Sequence, residues 1–404
     1  MNTIKLTSLM TLYYLPEAML TEGYQNIIGL CRATKSEREK DETYGRVSMI
    51  KKLLIANRGE IAIRVARTAA AMGITTVAVY TADDATSLHL KHSDEARELP
   101  GKGVAGYLDI KALVQIAQQT GCDALHPGYG LLSERADLAE ACANSGVLFV
   151  GPDAETLRKQ GDKVSARSLA LTAGVPTLNG SGPDASAAEI HAFFDAQGAM
   201  PLMIKAVNGG GGRGMRVVRT HDDIDTGFAQ AQAEAKSAFG DGALYAERFL
   251  PSVRHIEVQI IGDGANVTHL WERDCSVQRR HQKVIELAPA PHLASATRTA
   301  ILEAAIAIGR ACSYRGLGTV EFLVEQTGSF YFIETNPRIQ VEHTITEEIT
   351  GFDLVEIQLA LASGASLADV GLDQPPVLPT GFSLQTRITT ETLGPDGTFL
   401  PTGG

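Results

Sequence analysis

The first part of the chain alternates short apolar runs with amphipathic stretches. Apolar runs that end at glycine or polar residues predict strands, and apolar positions at helical spacing predict the helices between them. The predicted strands are residues 52–56, 74–80, 123–125 and 147–150, and the predicted helices are residues 61–72, 110–120 and 133–144, the last capped by Ser133. This alternation is typical of a parallel, doubly wound sheet, which we expect over residues 49–152.

Beyond Asp153 the pattern changes. Residues 153–173 predict one helix, and after it strands follow one another with few helices between them. The further predicted strands are residues 202–206, 215–219, 244–249, 255–261 and 267–272, and the further helices are residues 222–238, 297–312 and 345–362. Neighbouring strands favour antiparallel pairs, so a mixed α+β region is expected to follow the parallel sheet.

The first 48 residues differ from the rest of the chain. Their apolar run, residues 9–15, is interrupted by Pro16 and Glu17, and residues 35–42 form a charged, linker-like run. Because no basic segment precedes the apolar run, a secretory signal is not expected. We expect residues 1–48 to be a poorly ordered leader or extension, and the globular fold to begin near Met49.

The composition of the chain argues against several classes of protein. The chain has 404 residues, 44% of them hydrophobic, and a net charge of −11. Such a chain can bury a large core, while its acidic balance argues against general binding of nucleic acid or anionic membranes. No apolar run is long enough for a membrane span. The five cysteines include no Cys-x-x-Cys pair, which predicts reduced thiols in a cytoplasmic protein.

A glycine-rich loop follows the predicted strand 202–206. Four consecutive glycines, Gly209 to Gly212, precede Arg213, and a strand follows them. A dinucleotide fingerprint needs a helix at that point, and a P-loop needs a Lys-Ser or Lys-Thr pair, so neither fits. Backbone amides in a hairpin tip of this kind can approach phosphates closely. Because Lys205 lies beside the loop, we interpret it as a lid over phosphates, with Gly210, Gly211 and Gly212 at the nucleotide.

Two apolar strands carry facing carboxylates. Residues 320–324 and 330–334 predict a hairpin, and a two-residue turn midway between them places Glu321 directly opposite Glu334. Opposed carboxylates repel each other, and a divalent cation removes that repulsion. The pair therefore predicts a Mg²⁺ site, against the alternative of two solvated edge glutamates.

The polar residues continue beyond the second strand. If residues 334–343 stay extended, one face carries Glu334, Asn336, Arg338, Gln340 and Glu342. That face combines metal-type ligands, a fixed cation and a carboxylate. It suits an anionic substrate held beside a metal nucleotide, with Glu342 as a base. A structural strand with a solvated polar face is the alternative.

The segment 273–283 is basic within an acidic protein. Its cations are Arg273, Arg279, Arg280, His281 and Lys283. Apolar strands flank the segment and tie it down at both ends. A positive cradle for phosphate or bicarbonate and an ordinary solvated charge run are equally compatible with this pattern.

Several longer segments together point to one family. They are residues 55–62 (IANRGEIA), 126–130 (HPGYG), 161–166 (GDKVSA), the glycine loop, 276–283 and 338–343. From about Ile50 to Gly404 the chain resembles the biotin carboxylase component of biotin-dependent carboxylases, which are ATP-grasp ligases. The resemblance implies three domains: an N-terminal biotin carboxylase domain at 49–162, an ATP-grasp domain at 163–365 with a lid at about 177–250, and the start of an incomplete C-terminal domain at 366–404.

The resemblance also implies a set of residues for the nucleotide and its metal. The residues that would contact ATP are Lys163, Lys205, Glu247, His255, Gln278, His281 and Leu323. Mg²⁺ or Mn²⁺ would be held by Glu321 and Glu334, with Asn336 beside them.

A second implied set serves bicarbonate and biotin. Bicarbonate would be held by Lys283, Arg338, Gln340 and the backbone of Val341, and Tyr129 would border the biotin. Glu342 would deprotonate bicarbonate, which attacks the γ-phosphate of ATP to give carboxyphosphate. That intermediate decomposes to CO₂ and phosphate, the phosphate takes the N1′ proton of biotin, and Arg387 stabilises the biotin enolate. Mg²⁺ and the cations offset the charge that two meeting anions gather.

The same resemblance implies partners. No Met-Lys-Met attachment motif occurs in the chain, so biotin would arrive on a carrier domain or protein, and a carboxyltransferase would choose the final acceptor. The family allows a homodimer, whereas neither nucleic acid nor a membrane is expected as a partner.

Two other functions stay open. The first is another ATP-grasp ligase, such as a carbamoyl-phosphate synthetase; residues 279–283 together with Arg387 favour biotin carboxylase instead. The second is a nucleotide-binding subunit without full activity. The presence of Glu321, Glu334 and Glu342 argues against lost chemistry.

Overall fold

The computed structural model describes residues 5–6, 50–207, 214–279, 281–373, 378–388, 391–394 and 399–401. The glycines 209–212 and nearly all of the expected leader lie outside the described residues. Within that leader, Lys5–Leu6 forms a short strand, β1. Across the part of the chain that is described, no helix has both the length and the apolar character to cross a membrane.

A five-stranded parallel sheet forms the N-terminal part, as predicted. Its strands lie in the order β4-β3-β2-β5-β6, which places the first strand of the unit in the centre. The strands are β2 (Lys52–Ile55), β3 (Thr75–Tyr80), β4 (Glu95–Glu98), β5 (Ala124–His126) and β6 (Leu148–Phe149). The helices are α1 (Gly59–Ala71), α2 (Gly103–Tyr107), α3 (Ile110–Gln119) and α4 (Ala136–Asn144).

Alternation along β2 explains why this sheet is covered on both faces. Leu53 and Ile55 belong to the core cluster that includes α1. Leu54 points to the opposite face and joins the cluster that includes α3. Successive side chains of a strand point to opposite faces, so a continuously apolar strand needs a layer of helices on each side.

Two predicted helix bounds in this region are wrong. Helix α4 begins at Ala136, because residues 130–135 form turns in which Ser133 N–H donates to the carbonyl of Gly130 at 2.9 Å. The predicted helix 153–173 is two helices, α5 (Ala154–Gly161) and α6 (Lys163–Thr172). Asp162 between them has an extended backbone, and its carboxylate caps α6.

A separate three-stranded antiparallel sheet follows, with the order β8-β7-β9. Its strands are β7 (Leu202–Ala206), β8 (Met215–Val218) and β9 (Leu244–Arg248). Two helices, α7 (Ala187–Ala196) and α8 (His221–Phe239), share one apolar core with it. The sequence pattern missed α7, although Ser186 and Glu189 form a complete capping box at its start.

The largest sheet has seven strands in the order β1-β15-β12-β11-β10-β13-β14. Its remaining strands are β10 (Val253–Asp263), β11 (Val267–Arg279), β12 (Gln282–Ala288), β13 (Arg315–Glu325), β14 (Phe330–Asn336) and β15 (Ser383–Thr386). All of its pairs are antiparallel except β1 with β15. One face packs on α9 (Ser295–Ala311) and α6.

Strand β10 shows how the two faces of this sheet differ. Ile256, Val258 and Ile260 lie in the apolar core with α9, whereas Glu257 and Gln259 point to the other face and are also buried. A buried polar face needs internal partners for every charge, so it is the natural place for a polar site.

The chain ends with short elements. The predicted helix 345–362 is two helices, α10 (His343–Thr350) and α11 (Leu354–Ala362), separated by Gly351 in the left-handed conformation with φ +79°. Strand β15 pairs with β12 in the largest sheet, so residues beyond 366 contribute to it. Strands β16 (Glu391–Leu393) and β17 (Phe399–Pro401) form a separate hairpin.

Candidate active site

The hairpin of β13 and β14 places Glu321 directly opposite Glu334, which confirms the predicted pairing. Its turn differs from the prediction. The N–H of Glu325 donates to the carbonyl of Ser329 at 2.8 Å, which leaves a three-residue loop that ends at Gly328. Gly328 has φ +90°, a conformation that other residues rarely adopt.

A β-bulge in β14 compensates for the longer loop. It restores the predicted register between β13 and β14. Phe322 pairs with Phe332, yet the next residue back, Glu321, pairs with Glu334. Ile333 is therefore the extra residue on β14. Without this bulge Glu334 would lie one position out of register and on the other face of the strand.

Glu321 is buried and fully engaged by its neighbours. One carboxylate oxygen lies 2.7 Å from Nε2 of His255, and the other accepts from Lys283 at 2.9 Å, from Asn336 at 2.9 Å and from Gln340 at 3.3 Å. Burial alone would raise the pKa of Glu321, but Lys283 and His255 outweigh it and hold that pKa well below its usual range. Glu321 is an ionised carboxylate.

Glu334 has the opposite electrostatics. Burial and the charge of Glu321 raise its pKa, and the ammonium of Lys163 only partly offsets them. Two carboxylates that disfavour each other's charge, with the amide of Asn336 beside them, form an oxygen-rich donor set that fits Mg²⁺. A second group could also hold a cation, since ligand atoms of His255, Glu257 and Glu321 lie within 4.8 Å of one another.

Lys283 contacts three buried carboxylates. Its ammonium contacts Glu257 at 2.5 Å, Glu342 at 2.8 Å and Glu321 at 2.9 Å. Burial would lower the pKa of Lys283, but the three carboxylates raise it well above its ordinary value. The ammonium therefore stays charged and links the facing glutamates to Glu342.

Glu342 is fully buried between two cations. One oxygen accepts from Lys283, and the other accepts from Arg387 at 2.8 Å. Arg387 also contacts Glu286 at 2.6 Å. The docking of β15 on β12 brings it there, since the N–H of Arg387 donates to the carbonyl of Val284. A carboxylate held this way is an oriented proton acceptor next to two fixed positive charges.

The predicted extended stripe from residue 334 to 343 is wrong beyond Asn336. Strand β14 ends there, the chain turns, and α10 begins at His343. Pro337 cannot donate to a strand neighbour, which favours leaving the sheet at this point. The turn nevertheless places Gln340 beside Glu321 and Glu342 beside Lys283. Most of the predicted residues therefore lie together, although one extended strand does not align them.

Arg338 lies at the edge of this group. Its guanidinium contacts Glu134 at 2.6 Å and the side-chain oxygen of Asn336 at 3.1 Å. Val341 occupies the turn before α10. Arg338 thereby ties the carboxylate hairpin to the N-terminal part of the chain.

Two of the predicted nucleotide residues, Lys163 and Glu247, line a cleft between the small sheet and β14. Tyr245 and Phe332 also line this cleft. Lys205 forms a half-buried ion pair with Glu247 across β7 and β9. Lys163, the first residue of α6, has its pKa lowered by burial, although Glu334 acts against this.

His255 joins the cleft to the carboxylates. Its Nδ1 lies 2.8 Å from the side-chain nitrogen of Gln278, while its Nε2 contacts Glu321. Leu323 pairs with His255 across β10 and β13. Burial would lower the pKa of His255, but Glu321 reverses this and raises it.

The basic segment is not one continuous cradle. Arg273 is fully buried against Glu257, and Arg279 pairs with Glu391 at the surface. His281 is exposed in the turn between β11 and β12, with φ +64°. Lys283, on the adjacent strand β12, reaches the site and contacts Glu257, the carboxylate that Arg273 also contacts.

Tyr129 follows β5 in a loop that is locked in place. The side-chain amide of Asn57 donates to the carbonyls of Pro127 and Tyr129 at 2.7 and 2.9 Å. The hydroxyl of Tyr129 donates to Glu60. Burial and the charge of Glu60 raise the pKa of Tyr129, and the charges of Glu342 and Arg387 are near enough to contribute.

Several residues of the site were not found from the sequence. They are Glu257, Glu286, Glu134 and Glu60, each the carboxylate partner of a predicted site residue. A usable signal existed for Glu257, because a lone acid in the apolar strand 256–261 must meet a buried cation. Glu134 and Glu60 lie in turns or helix starts, where acids are common and carry no such signal.

Comparison with known proteins adds independent information. Residues 49–157 match the family model described as biotin carboxylase, N-terminal domain. Residues 162–370 match the model described as carbamoyl-phosphate synthase L chain, ATP binding domain. Pyruvate carboxylase, mitochondrial, of Homo sapiens is 49% identical over 360 residues, which cover 88% of this chain and 30% of that protein. The chain thus spans about 30% of the length of the curated relatives it matches.

Solved structures show the same likeness. A biotin carboxylase from Campylobacter jejuni, determined as a complex with a β,γ-ATP ligand, is 43% identical, with a TM-score of 0.82, and the match covers 87% of this chain and 78% of that one. The biotin carboxylase domain of 2-oxoglutarate carboxylase from Hydrogenobacter thermophilus, a dimer in complex with MgADP, ADP and bicarbonate, is 39% identical, with a TM-score of 0.81, and the match covers 85% and 75%.

Proposed function

The chain belongs to the biotin carboxylase family, and on that premise we propose that it uses ATP and bicarbonate to carboxylate biotin. One observation carries the proposal. The ammonium of Lys283 contacts both Glu321, of the facing carboxylate pair, and Glu342, of the cluster with Arg387. The ammonium of Lys283 therefore connects a site for a metal nucleotide to an oriented base that lies beside fixed cations.

Each residue has a distinct part in the proposed reaction. Lys163, Lys205, Glu247, His255, Gln278, His281 and Leu323 bind ATP, with Gly210, Gly211 and Gly212 in its lid. Mg²⁺, or Mn²⁺, fits Glu321 and Glu334 beside Asn336, and when bound it neutralises charge on the phosphates. Lys283, Arg338, Gln340 and the backbone of Val341 orient bicarbonate.

Glu342 takes the proton of bicarbonate, and the contacts of its two oxygens with Lys283 and Arg387 fix the direction in which the carboxylate points. The product carboxyphosphate gives CO₂ and phosphate, and phosphate accepts the N1′ proton of biotin. Arg387 then lies where it can stabilise the enolate, with Tyr129 bordering the ring. Buried cations act strongly here because the surroundings exclude water.

The proposal extends to organisation and partners. We place an N-terminal domain at 49–162, an ATP-grasp domain at 163–365 and the start of a C-terminal domain at 366–404. Biotin on a carrier domain is the substrate and a carboxyltransferase uses the product, with a homodimer as the assembly. A cytoplasmic location stays a prediction, since a matching relative is named mitochondrial.

Substitution of Glu342 tests the proposed base. Glu342→Gln keeps the size of the side chain but cannot accept the proton, and general base catalysis contributes about 10²- to 10⁴-fold. Biotin-dependent ATP cleavage should fall at least about 100-fold, while nucleotide binding, measured by equilibrium titration with an ATP analogue, stays within about threefold of the parent.

Glu348→Gln is the matched control, because Glu348 is exposed on α10, the helix that follows Glu342. Full biotin-dependent turnover in Glu342→Gln would remove Glu342 as the base. ATP cleavage by the parent chain that needs bicarbonate but ignores free biotin would favour another ATP-grasp ligase instead.

A further inference from the structure

Arg387 is held by two buried carboxylates that belong to different parts of the chain. Its Nε donates to Glu286 at 2.6 Å, and its Nη2 donates to Glu342 at 2.8 Å. Glu286 lies on β12, whereas Glu342 immediately precedes α10. The proposed function gives Glu342 the proton of bicarbonate and gives Arg387 the biotin enolate, but it leaves Glu286 without a part.

The backbone around Arg387 is fixed without the carboxylate of Glu286. The N–H of Arg387 donates to the carbonyl of Val284 at 2.8 Å, beside the ladder that joins β15 to β12. The hydroxyl of Thr344, on α10, donates to the side-chain oxygen of Gln385 at 2.8 Å and anchors β15 a second time. These contacts place the strand, so the contact with Glu286 determines where the guanidinium lies.

The guanidinium of Arg387 is engaged on one side only. A guanidinium presents its N–H donors in a fixed planar fork. The two carboxylates occupy Nε and Nη2, whereas Nη1 makes no hydrogen bond within the part of the chain that the structure describes. The side chain is 31% exposed. One end of the fork is therefore open to an anionic oxygen of a substrate, and the two carboxylates set its direction.

The carboxylate of Glu286 is costly for the fold. Its side chain is completely buried, and its second oxygen, Oε2, has no hydrogen-bond partner among the described residues. Burial raises the pKa of Glu286, as does the charge of Glu342, although Arg387 opposes both. An apolar side chain at this position would avoid that cost. The carboxylate therefore indicates a role in the site rather than in stability.

We propose that Glu286 is a positioning residue, which holds the guanidinium of Arg387 towards biotin during the carboxylation step. The inference rests on the proposed function. In that reaction the proton passes from the hydroxyl of bicarbonate to a carboxylate oxygen of Glu342, which then loses its charge and attracts Arg387 less strongly. Glu286 takes no part in this transfer, so it keeps Arg387 in place until the enolate forms.

Steady-state kinetics of Glu286→Ala in the full chain, with free biotin as the probe, test the proposal. Loss of the contact lets the guanidinium shift, and a misplacement of about 1 Å can cost about 100-fold in rate. The kcat for biotin-dependent ATP cleavage should fall at least about tenfold. It should fall further than bicarbonate-dependent ATP cleavage without biotin, which needs no enolate. Glu286→Gln keeps the volume and an acceptor for Nε, so it should lose less.

A double-mutant cycle separates positioning from a general effect on the fold. In an Arg387→Gln background, Glu286→Ala should cause no further loss of biotin-dependent turnover, because Glu286 acts through Arg387. Glu140→Ala is the matched control, since Glu140 also pairs with an arginine, Arg158, but at the exposed surface; it should match the parent. Circular dichroism checks that each variant folds, and Glu286→Gln replaces Glu286→Ala in the cycle if the latter does not.

The possible outcomes distinguish this inference from the proposed function. If the parent shows biotin-dependent turnover and Glu286→Ala equals it, the inference alone is overturned. Losses that add in the double variant would also overturn it, because Glu286 would then act independently of Arg387. A parent that cleaves ATP without any response to biotin would overturn the proposed function, and this inference with it.

Discussion

At the scale of single residues, burial decides what a cation does. Arg273 and Arg279 lie on the same strand, six positions apart. The side chain of Arg273 is completely buried and contacts Glu257 at 2.5 Å, Gln259 at 2.9 Å and Thr346 at 2.9 Å. Arg279 is 46% exposed and reaches Glu391. The first cation orients a carboxylate of the site, and the second is a surface ion pair.

Methionine at these two positions measures the difference. Arg273→Met leaves Glu257 buried with Lys283 as its one remaining cation, so unfolding free energy should fall by about 3 kcal/mol or more. Arg279→Met should change it by less than about 1 kcal/mol. Urea unfolding followed by circular dichroism gives both values, and equal losses in the two variants would contradict this difference in burial.

At the scale of the element, one hairpin holds two carboxylates that repel each other. The bulge in β14 and the three-residue loop before it together hold Glu334 opposite Glu321. Burial and that neighbour raise the pKa of Glu334, so its ionised form disfavours the folded state. Such a carboxyl stabilises the fold below its unfolded pKa, and the benefit is lost as pH rises through its higher folded pKa.

Removal of that charge should stabilise the metal-free protein. Glu334→Gln should be more stable than the parent at pH 7 by on the order of 1 kcal/mol, and the difference should vanish below about pH 4. Added Mg²⁺ should raise the Tm of the parent and leave the variant unchanged. Glu303→Gln, at an exposed position on α9, is the control. A variant less stable than the metal-free parent would refute the repulsion.

At the scale of the whole molecule, two buried histidines and one half-buried histidine make stability depend on pH. Burial lowers the pKa of His126, His269 and His343 to about 4. His126 ends β5 of the N-terminal sheet and lies 3.2 Å from the side-chain oxygen of Gln358 on α11. His343 begins α10, where its Nδ1 contacts the carbonyl of Gln340 at 2.7 Å. All three are neutral at pH 7.

These histidines predict acid sensitivity. In the unfolded chain their pKa is near the ordinary 6.5, so between pH 6.5 and 4 the unfolded state binds more protons and stability falls as the pH falls. Each histidine contributes about 1 kcal/mol per pH unit across that window. His255, whose pKa is raised, acts in the opposite direction, as does Glu334.

Urea unfolding at pH 7, 6 and 5 measures the slope. His269→Gln should reduce it by about one proton, and the exposed His92→Gln should leave it unchanged. A slope that His269→Gln leaves unchanged would show that this ring is not neutral in the folded state.

Local patterns predicted much of the fold. The apolar runs identified eleven strands and most helices, because burial on one or both faces of an element gives its apolar residues a regular spacing. The errors fell where one residue decides the backbone. Asp162 and Gly351 each divide a predicted helix, and Ser133 belongs to a turn. Helix α7 was missed because its capping box is a short signal inside a polar stretch.

The sequence by itself determined the chemistry present: the parallel unit, the Glu321–Glu334 pairing and the identity of the groups around it, since these depend on residue type and short-range register. Only the tertiary structure decided which charged side chains contact one another. Lys283 meets Glu257 on β10, Glu321 on β13 and Glu342 beyond β14, and β15 delivers Arg387. The residues that contact Lys283 lie 26 to 59 positions from it in the sequence. Contacts over such separations depend on the order of strands in the sheet and on the burial of paired charges. No local sequence pattern encodes either of these.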